Sequence, residues 1–234
     1  MSTPSTPNIS DKVSVEPIPF EAVDTAMIAK ITAGVSAEVP VVETKGDEIK
    51  TLEARPAVYS SRFISIDQDA VEFPNGVVGE YNVVNMTGKK GALIVPVAFH
   101  RGLAYFGLVE QYRYPVKQHT IEFPRGGAEN LEKDGAETEI QEELGLPSKR
   151  LDLVGTMRPD TGILSTEVGV WIAVMPAEVL TLDHTEGITG LKPRWVQEGE
   201  LIGLISSGKI TCGMTLAAYT MFNINRNQYG ALMR

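Results

Sequence analysis

The amino-acid sequence predicts an α/β protein in which a mixed β-sheet lies between helices. Three observations carry this prediction: β-rich runs paired around short turns, a strongly acidic helix near the middle of the chain, and two apolar-periodic helices near its end. Strands mixed with helices in this way are typical of layered α/β folds. Because no stretch repeats another at a fixed period, a solenoid is disfavoured.

The composition limits the classes of protein to which the chain can belong. With 234 residues, 43% of them hydrophobic, the chain suffices for one well-cored domain. The net charge of −9 and the absence of a Lys/Arg run argue against binding to a nucleic-acid backbone. The single cysteine, Cys212, cannot form an internal disulfide, and no apolar run is long enough to span a membrane. We therefore expect a cytoplasmic protein that binds neither nucleic acid nor membrane.

Three regions follow one another along the chain. Residues 1–19 are rich in Ser, Thr and Pro, which predicts a flexible tail. Residues 20–56 are expected to form an N-terminal helix and arm, and residues 57–234 the globular domain. The helix is predicted because apolar residues recur at helical spacing, at Phe20, Val23, Met27 and Ile31.

Two hairpins are predicted at the start of the globular domain. Asn75-Gly76 separates the first two β-rich runs, and Asn-Gly is a strong hairpin signal. His100-Arg101-Gly102 separates the second two. We expect antiparallel pairing in both cases. The runs are Arg62–Phe73 with Val77–Met86, and Ala92–Phe99 with Leu103–Gln111.

Further elements alternate after the hairpins. A short strand, Thr120–Phe123, leads into a loop over Phe123–Gly127, where two glycines let the backbone approach a ligand and expose carbonyl groups. The remaining strands are predicted at Leu151–Met157, Val168–Met175 and Arg194–Val196, and the last helices at Glu198–Ser206, which stops near Gly208, and Met214–Asn225.

The acidic helix carries the strongest chemical signal in the sequence. Glu139, Glu142 and Glu143 stand at i, i+3 and i+4, so a helix places them within one turn. Like charges at this spacing repel, so the side chains either stay in water or are neutralised by a cation. Carboxylate oxygens favour Mg²⁺ or Mn²⁺. The pattern therefore predicts a metal site.

The sequence indicates where this helix begins and ends. Asp134 with Glu137 three residues later reads as a variant of a capping box, and Gly145 with Pro147 as the stop. Three apolar residues are expected to bury the flank opposite the acidic face, which would hold that face towards a cleft. They are Ala136, Ile140 and Leu144.

Around this helix the chain resembles the Nudix hydrolases, whose signature is G-x5-E-x7-R-E-U-x-E-E-x-G-U, with U an aliphatic residue. The matching residues are Gly126, Glu132, Glu139, Ile140, Glu142, Glu143, Gly145 and Leu146. Two departures stand out: the segment after Glu132 is two residues short, and Thr138 occupies the arginine position. In the family that arginine steadies the metal-binding glutamates. The resemblance implies an α/β/α sandwich with an N-terminal arm.

The flanking segments are similar to those of the ADP-ribose pyrophosphatase branch, notably Val109–Pro115 and Ile121–Gly126 before the box and Leu201–Leu216 after it. The resemblance implies that Arg113 and Glu122 bind substrate. It implies Mg²⁺ or Mn²⁺ on Glu139, Glu142 and Glu143, with the Arg125 carbonyl as a further ligand. Glu139 then serves catalysis as well as metal binding. The branch also favours a homodimer.

A turn-rich loop, Pro159–Glu167, resembles the loop that carries the general base in this branch. Glu167 is the matching carboxylate, and Asp160 is the rival. The expected reaction is metal-dependent hydrolysis of a nucleoside diphosphate linked to another moiety, with ADP-ribose converted to AMP and ribose 5-phosphate. Two alternatives stay open: a Nudix-fold binding or regulatory protein without turnover, and a structural interaction module.

Overall fold

Strand β5 (Lys90–His100) is the central strand of the protein. In this computed structural model, which describes residues 46, 48–86, 90–128, 133–144, 147–181 and 193–233, every residue from Ala92 to Ala98 is buried. The sequence of this strand is a continuous apolar run, which is expected of a strand that is covered on both faces. It therefore organises the layers on either side.

A seven-stranded mixed sheet is built around β5. The order is β11 (Pro193–Gln197), β6 (Leu103–Arg113), β5, β10 (Val168–Met175) and β9 (Arg150–Met157). Two short strands join it from the side: β7 (Gln118–Glu122) pairs with β6, and β8 (Arg125–Ala128) pairs with β5. The β5–β10 pair is parallel and the others are antiparallel. The predicted mixed sheet is confirmed.

Helices cover both faces of this sheet. Alternate residues of β5 point to opposite faces: Leu93, Val95 and Val97 belong to one apolar cluster, and Ala92, Ile94 and Ala98 to the other. The first cluster includes residues of α2 (Glu198–Ser206) and α3 (Gly213–Asn225), and the second includes residues of α1 (Lys133–Leu144). The arrangement is the α/β/α sandwich expected from the sequence.

A second, four-stranded antiparallel sheet contains the first predicted hairpin. Its strands are β1 (Lys50–Glu53), β2 (Tyr59–Ser60), β3 (Ile64–Glu72) and β4 (Val78–Met86). The turn between β3 and β4 works as predicted, because Gly76 takes a positive φ of 80° that suits a residue without Cβ. The sequence did not indicate that this hairpin and the next lie in different sheets.

The second hairpin, between β5 and β6, is also confirmed. Arg101 and Gly102 both have positive φ, 50° and 77°, as a two-residue turn between twisted strands requires. Near the C-terminus, α2 has the predicted bounds and α3 begins one residue before the predicted start. Gly208, with φ 71°, follows α2 as expected.

Two local predictions were wrong. The expected loop over Phe123–Gly127 contains strand β8, because the glycine segment pairs with the first residues of β5. Helix α1 begins at Lys133, which puts Asp134 inside the helix and not at the expected N-cap. The carboxylate of Glu137, the expected partner of that cap, accepts hydrogen bonds from the Ser148 N–H and hydroxyl, both at 2.9 Å. Glu137 is thereby joined to a residue that follows the helix.

The described strands and helices belong to one compact unit, Asp47–Arg234. The predicted tail and the N-terminal helix predicted from Phe20 to Ile31 lie outside the described residues. Among the helices that the structure describes, none is long and apolar enough to cross a membrane.

Candidate active site

Strands β5 and β6 separate along their length, and the chain that leads to the acidic helix enters the gap. β6 pairs with β5 over Leu103–Phe106 and with β7 over Val109–Arg113. β8 occupies the place beside the first residues of β5, and the Ile94 N–H donates to the Pro124 carbonyl at 2.9 Å. Phe123 is fully buried, and its N–H donates to Thr215 Oγ1 of α3 at 3.1 Å. These bonds fix the position of the segment that precedes α1 in the chain.

Glu122, the last residue of β7, is a buried carboxylate held by four donors. Its side chain is 3% exposed. Arg113 donates from Nε to Oε1 at 3.0 Å and from Nη2 to Oε2 at 2.6 Å. Thr120 Oγ1 donates to Oε1 at 2.7 Å, and Arg125 Nε donates to Oε2 at 3.1 Å. A buried charge is tolerated when it is paired in this way.

The surroundings of Glu122 lower its pKa below the ordinary value of 4.5. Burial, the largest single influence, acts to raise the pKa because it disfavours the charged form. The hydrogen bonds from Arg113 and Thr120, together with the positive charges of Arg125 and Arg113, more than offset it. Glu122 is therefore a carboxylate at neutral pH.

The side chain and the backbone carbonyl of Arg125, the first residue of β8, have different surroundings. Its side chain joins the Glu122 cluster and donates from Nη1 to the sulfur of Met214 at 3.0 Å. Because the Ile94 N–H bonds to Pro124, Leu93 and Arg125 form a non-hydrogen-bonded pair, in which the Arg125 carbonyl points away from β5. The backbone oxygen proposed as a metal ligand is thus outside the ladder with β5.

Helix α1 carries the three glutamates on a firmly anchored backbone. Ala136 and Ile140 are fully buried against the sheet, as predicted. Counted at about 100° per residue, positions 139 and 143 lie beside this buried stripe, and not opposite it as we expected. Position 137 lies on the other side of the stripe. The side chains of Glu139, Glu142, Glu143 and Leu144 lie outside the described residues.

Glu167, the proposed base, lines a cleft of about 250 Å³. The other lining residues are Met86, Lys90, Arg158, Ser165 and Thr166. The carboxylate of Glu167 is 3.8 Å from Arg158 Nη2 and its side chain is 32% exposed. The Glu167 carbonyl accepts a hydrogen bond from the Gly91 N–H at 3.3 Å, which ties the end of the loop to β5. The rival, Asp160, caps its own loop by accepting the Gly162 N–H at 2.8 Å.

The sheet brings the base loop and the glycine segment to the same edge. Gly91 of β5 pairs with Val168 of β10 on one side and with Gly127 of β8 on the other. Neighbouring strands lie about 5 Å apart, so Val168 and Gly127 are separated by about 10 Å across β5. Glu167 directly precedes Val168, and the chain runs from Gly127 towards α1. Two motifs 40 residues apart in sequence, Gly127 and Glu167, therefore meet at one end of the sheet.

Comparisons with known proteins find a similar fold and related sequences. A solved structure titled "Crystal structure of ADP compounds hydrolase" superposes with a TM-score of 0.63, covering 80% of this chain and 97% of the other at 17% identity. An ADP-ribose pyrophosphatase of Bacillus subtilis (strain 168) is 28% identical over 131 residues, 55% of this chain and 68% of the relative. A methanol dehydrogenase activator of Bacillus methanolicus is 24% identical over 128 residues, 54% of this chain and 66% of the relative. No family model matches the chain.

The chain resembles the Nudix hydrolases of the ADP-ribose pyrophosphatase branch. The central segments that carry the Nudix resemblance also coincide with the elements just described: β6 and β7, the glycine strand β8 and helix α1. The fold expected for a Nudix protein is therefore present. The site residues drawn from the resemblance remain predictions.

Some residues of this Nudix-like site carried no clear sequence signal. Arg158 lies outside the Nudix motif, and its place opposite Glu167 depends on how the loop folds back. Lys90 also lies outside the Nudix motif, and the structure places it in the same cleft. Within the described side chains, which do not include those of Glu139, Glu142 and Glu143, no group of three or more His, Cys, Asp or Glu is arranged to hold a metal.

Three other side chains of chemically versatile types lie outside this site. Trp171 is buried in the cluster under α1. His119 is exposed and stands edge-on to Tyr112, with ring centroids 5.4 Å apart. Cys212 is a free thiol. None of these three side chains lines the cleft that contains Glu167.

Proposed function

We propose that this chain hydrolyses nucleoside diphosphates linked to another moiety, with ADP-ribose the leading substrate and AMP and ribose 5-phosphate the products. The observation that carries the proposal is the placement of the Nudix box. Three glutamate positions fall within one turn of a helix that follows the glycine strand and is anchored by Ala136 and Ile140. The name of the ADP-ribose pyrophosphatase relative supports the choice of substrate.

The donors in this arrangement suit a hard divalent cation. Glu139, Glu142 and Glu143 offer carboxylate oxygens, and the Arg125 carbonyl adds a neutral oxygen turned away from β5. An all-oxygen set of this kind favours Mg²⁺ or Mn²⁺ over softer metals. When bound, such an ion supplies charge neutralisation on the diphosphate and a lower pKa for coordinated water.

The protein's own groups would bind and orient the substrate. Arg113 is the proposed ligand of the substrate's phosphates or terminal ribose, and Glu122 holds its guanidinium plane in place through two hydrogen bonds. Glu167 would accept the proton of the attacking water, since a partly exposed carboxylate that lines a cleft is reachable by solvent and substrate. The remaining requirement is positioning, which dominates phosphoryl transfer.

A second function is favoured by specific observations: a Nudix-fold nucleotide-binding or regulatory protein with little or no turnover. Thr138 replaces the box arginine, and the segment after Glu132 is short. Arg113, the proposed substrate ligand, is already engaged by Glu122. One relative is named as an activator of a dehydrogenase and not as a hydrolase. These observations bear on whether the protein turns over a substrate, and they leave the assignment of the fold unchanged.

The two functions are separated by one experiment. The purified protein is incubated with ADP-ribose, NADH, nucleotide sugars and dinucleoside polyphosphates, each with Mg²⁺, with Mn²⁺ or with EDTA. Release of AMP and ribose 5-phosphate that depends on the cation supports hydrolysis. Binding of ADP-ribose by calorimetry without product release supports the regulatory alternative, and neither binding nor release would contradict both.

A further inference from the structure

The cleft that contains Glu167 has the size and charge of a site for part of a nucleotide. Its volume, about 250 Å³, lies below the usual range for whole small-molecule ligands, about 300–1,000 Å³. It therefore suits a fragment such as a phosphoryl group with its sugar. Its ionisable residues are two cations, Lys90 and Arg158, and one anion, Glu167. A net positive cleft stands out in a chain whose net charge is −9.

The two cations of the cleft have capacity for an anionic ligand. Arg158 makes two long contacts, from Nη1 to the Ser165 carbonyl at 3.4 Å and from Nη2 to Glu167 at 3.8 Å. A guanidinium has five N–H donors, so most of its capacity is unused by these contacts. Among the ion pairs of the described residues, none involves Lys90. By comparison, the Arg113 fork is closely held at 2.6 and 3.0 Å.

The wall of the cleft is fixed before any ligand arrives. The loop that ends at Glu167 is bonded to strand β4 of the four-stranded sheet: the Val84 N–H donates to the Ile163 carbonyl at 2.8 Å, and the Ser165 N–H to the Val84 carbonyl at 3.2 Å. Tyr81 Oη donates to the Gly162 carbonyl at 2.9 Å. Because these bonds already order the loop, the free energy of ligand binding would not have to offset the entropy cost of ordering it.

Hydrogen bonds between side chains also connect this loop to strands β4 and β3. Ser165 Oγ donates to Asn85 Oδ1, and Asn85 Nδ2 donates to Asp67 Oδ2 at 2.6 Å. Thr166 follows in the cleft wall, and its Oγ1 is buried without a hydrogen-bond partner among the described residues. The four-stranded sheet thus serves as the support against which the cleft is built.

We propose that this cleft is an anion subsite that takes a phosphoryl group of the substrate, with Arg158 and Lys90 supplying the positive charge. The proposal rests on the proposed function for the identity of the ligand. The bound anion competes with Glu167 for Arg158, so substrate binding releases the Glu167 carboxylate from its cation. The subsite thereby couples occupancy of the cleft to the group proposed to activate water.

The test measures binding without turnover. Inorganic pyrophosphate and ribose 5-phosphate are titrated by calorimetry in EDTA into the full chain and into Arg158→Gln, Lys90→Gln and Glu167→Gln. Lys209→Gln is the matched control, because Lys209 is an exposed lysine on the turn after α2. Removing either cleft cation is expected to weaken binding about three- to tenfold, with a weaker dependence on salt. Glu167→Gln is expected to tighten binding, since the competing carboxylate is gone.

The opposite signs of these effects separate an anion subsite from general damage to the cleft. Equal affinity in Arg158→Gln, Lys90→Gln and the Lys209→Gln control would overturn the proposal, and so would unchanged or weaker binding in Glu167→Gln. These outcomes are independent of hydrolysis. A protein that binds these anions with the expected signs but releases no AMP would contradict the proposed function and leave the subsite standing.

Discussion

Arg113 and Glu122 form a two-bonded pair across neighbouring strands, with Nε to Oε1 at 3.0 Å and Nη2 to Oε2 at 2.6 Å. The arginine ends β6 and the glutamate ends β7, just where the chain turns towards the glycine strand. The pair thus joins the proposed substrate-binding arginine to the backbone that leads to the metal helix. Its charge and geometry affect both stability and chemistry.

Glu122→Gln is expected to lower the free energy of unfolding by about 1.5–3 kcal/mol, the usual contribution of a charge-assisted hydrogen bond. The amide keeps the shape of the side chain but leaves Arg113 and Arg125 facing a neutral group. Urea denaturation monitored by tryptophan fluorescence measures the change. Glu72→Gln is the control, because Glu72 is a half-buried strand residue with a single 3.5 Å contact to the exposed Lys50. Equal stability of the two variants would contradict the assignment.

The same pair predicts a pH dependence. The pKa of Glu122 is lower in the folded protein than its ordinary value of 4.5, so its stabilising effect is present above that value. It is lost as the pH falls through the lower, folded-state pKa. The difference in unfolding free energy between the protein and Glu122→Gln should therefore be constant near neutrality and shrink below about pH 4.5. A difference that grows on acidification would have the wrong sign.

Glu143→Gln is expected to remove most cation-dependent turnover, because the amide keeps the shape while deleting the charge that holds the ion. Steady-state rates at limiting Mg²⁺ and cation binding by calorimetry measure the loss. Glu178→Gln serves as control, since the Glu178 side chain is 73% exposed and its contact with Lys149 is long, at 4.0 Å. Wild-type turnover in Glu143→Gln at limiting Mg²⁺ would show that the ligand assignment is wrong.

Glu167→Gln is expected to lower kcat by about 10²-fold or more, the usual contribution of a general base, with little change in cation affinity. The two measurements distinguish roles for this residue. A parallel loss of cation binding would make Glu167 a metal ligand, and an unchanged kcat would transfer the role of base to another group such as Asp160.

Thr138→Arg tests the departure of this chain from the Nudix pattern. Thr138 is exposed on α1, so a longer side chain can be accommodated without disturbing the buried face of the helix. An arginine there restores a positive charge beside the glutamates, and we expect tighter cation binding and a higher kcat. Weaker binding with a lower kcat would show that another basic group already fills this role. Thr138→Gln, of intermediate length and no charge, is the control.

Residues 20–60 are expected to pack against a second copy of the chain in a homodimer. Val58 and Tyr59, at the end of this segment, are 60% and 53% exposed in the single chain. Because β1 begins at Lys50 and pairs with β3, a clean deletion has to stop before it. Sedimentation of a chain lacking residues 1–46 should show a shift towards monomer. An unchanged mass would contradict an arm-mediated contact.

Much of the fold could be predicted because it depends on local patterns. The Asn75-Gly76 turn, the apolar run of β5 and the bounds of α2 each follow from a few neighbouring residues. The burial of Ala136 and Ile140 likewise follows from helical period. Motif spacing then predicted the positions of the glutamates on α1 and of Glu167 at the end of a loop.

Only the tertiary structure decided how segments that are distant in sequence pair with one another. Whether the glycine segment is a loop or strand β8 depends on the free side of β5, which exists because β6 diverges from it. Glu137 accepts two hydrogen bonds from Ser148, a residue beyond the end of its helix, and the helical pattern does not indicate this contact. The placement of Arg158 and Lys90 around Glu167 depends on bonds between the loop and β4. Such choices depend on contacts between distant segments, which no short window of sequence contains.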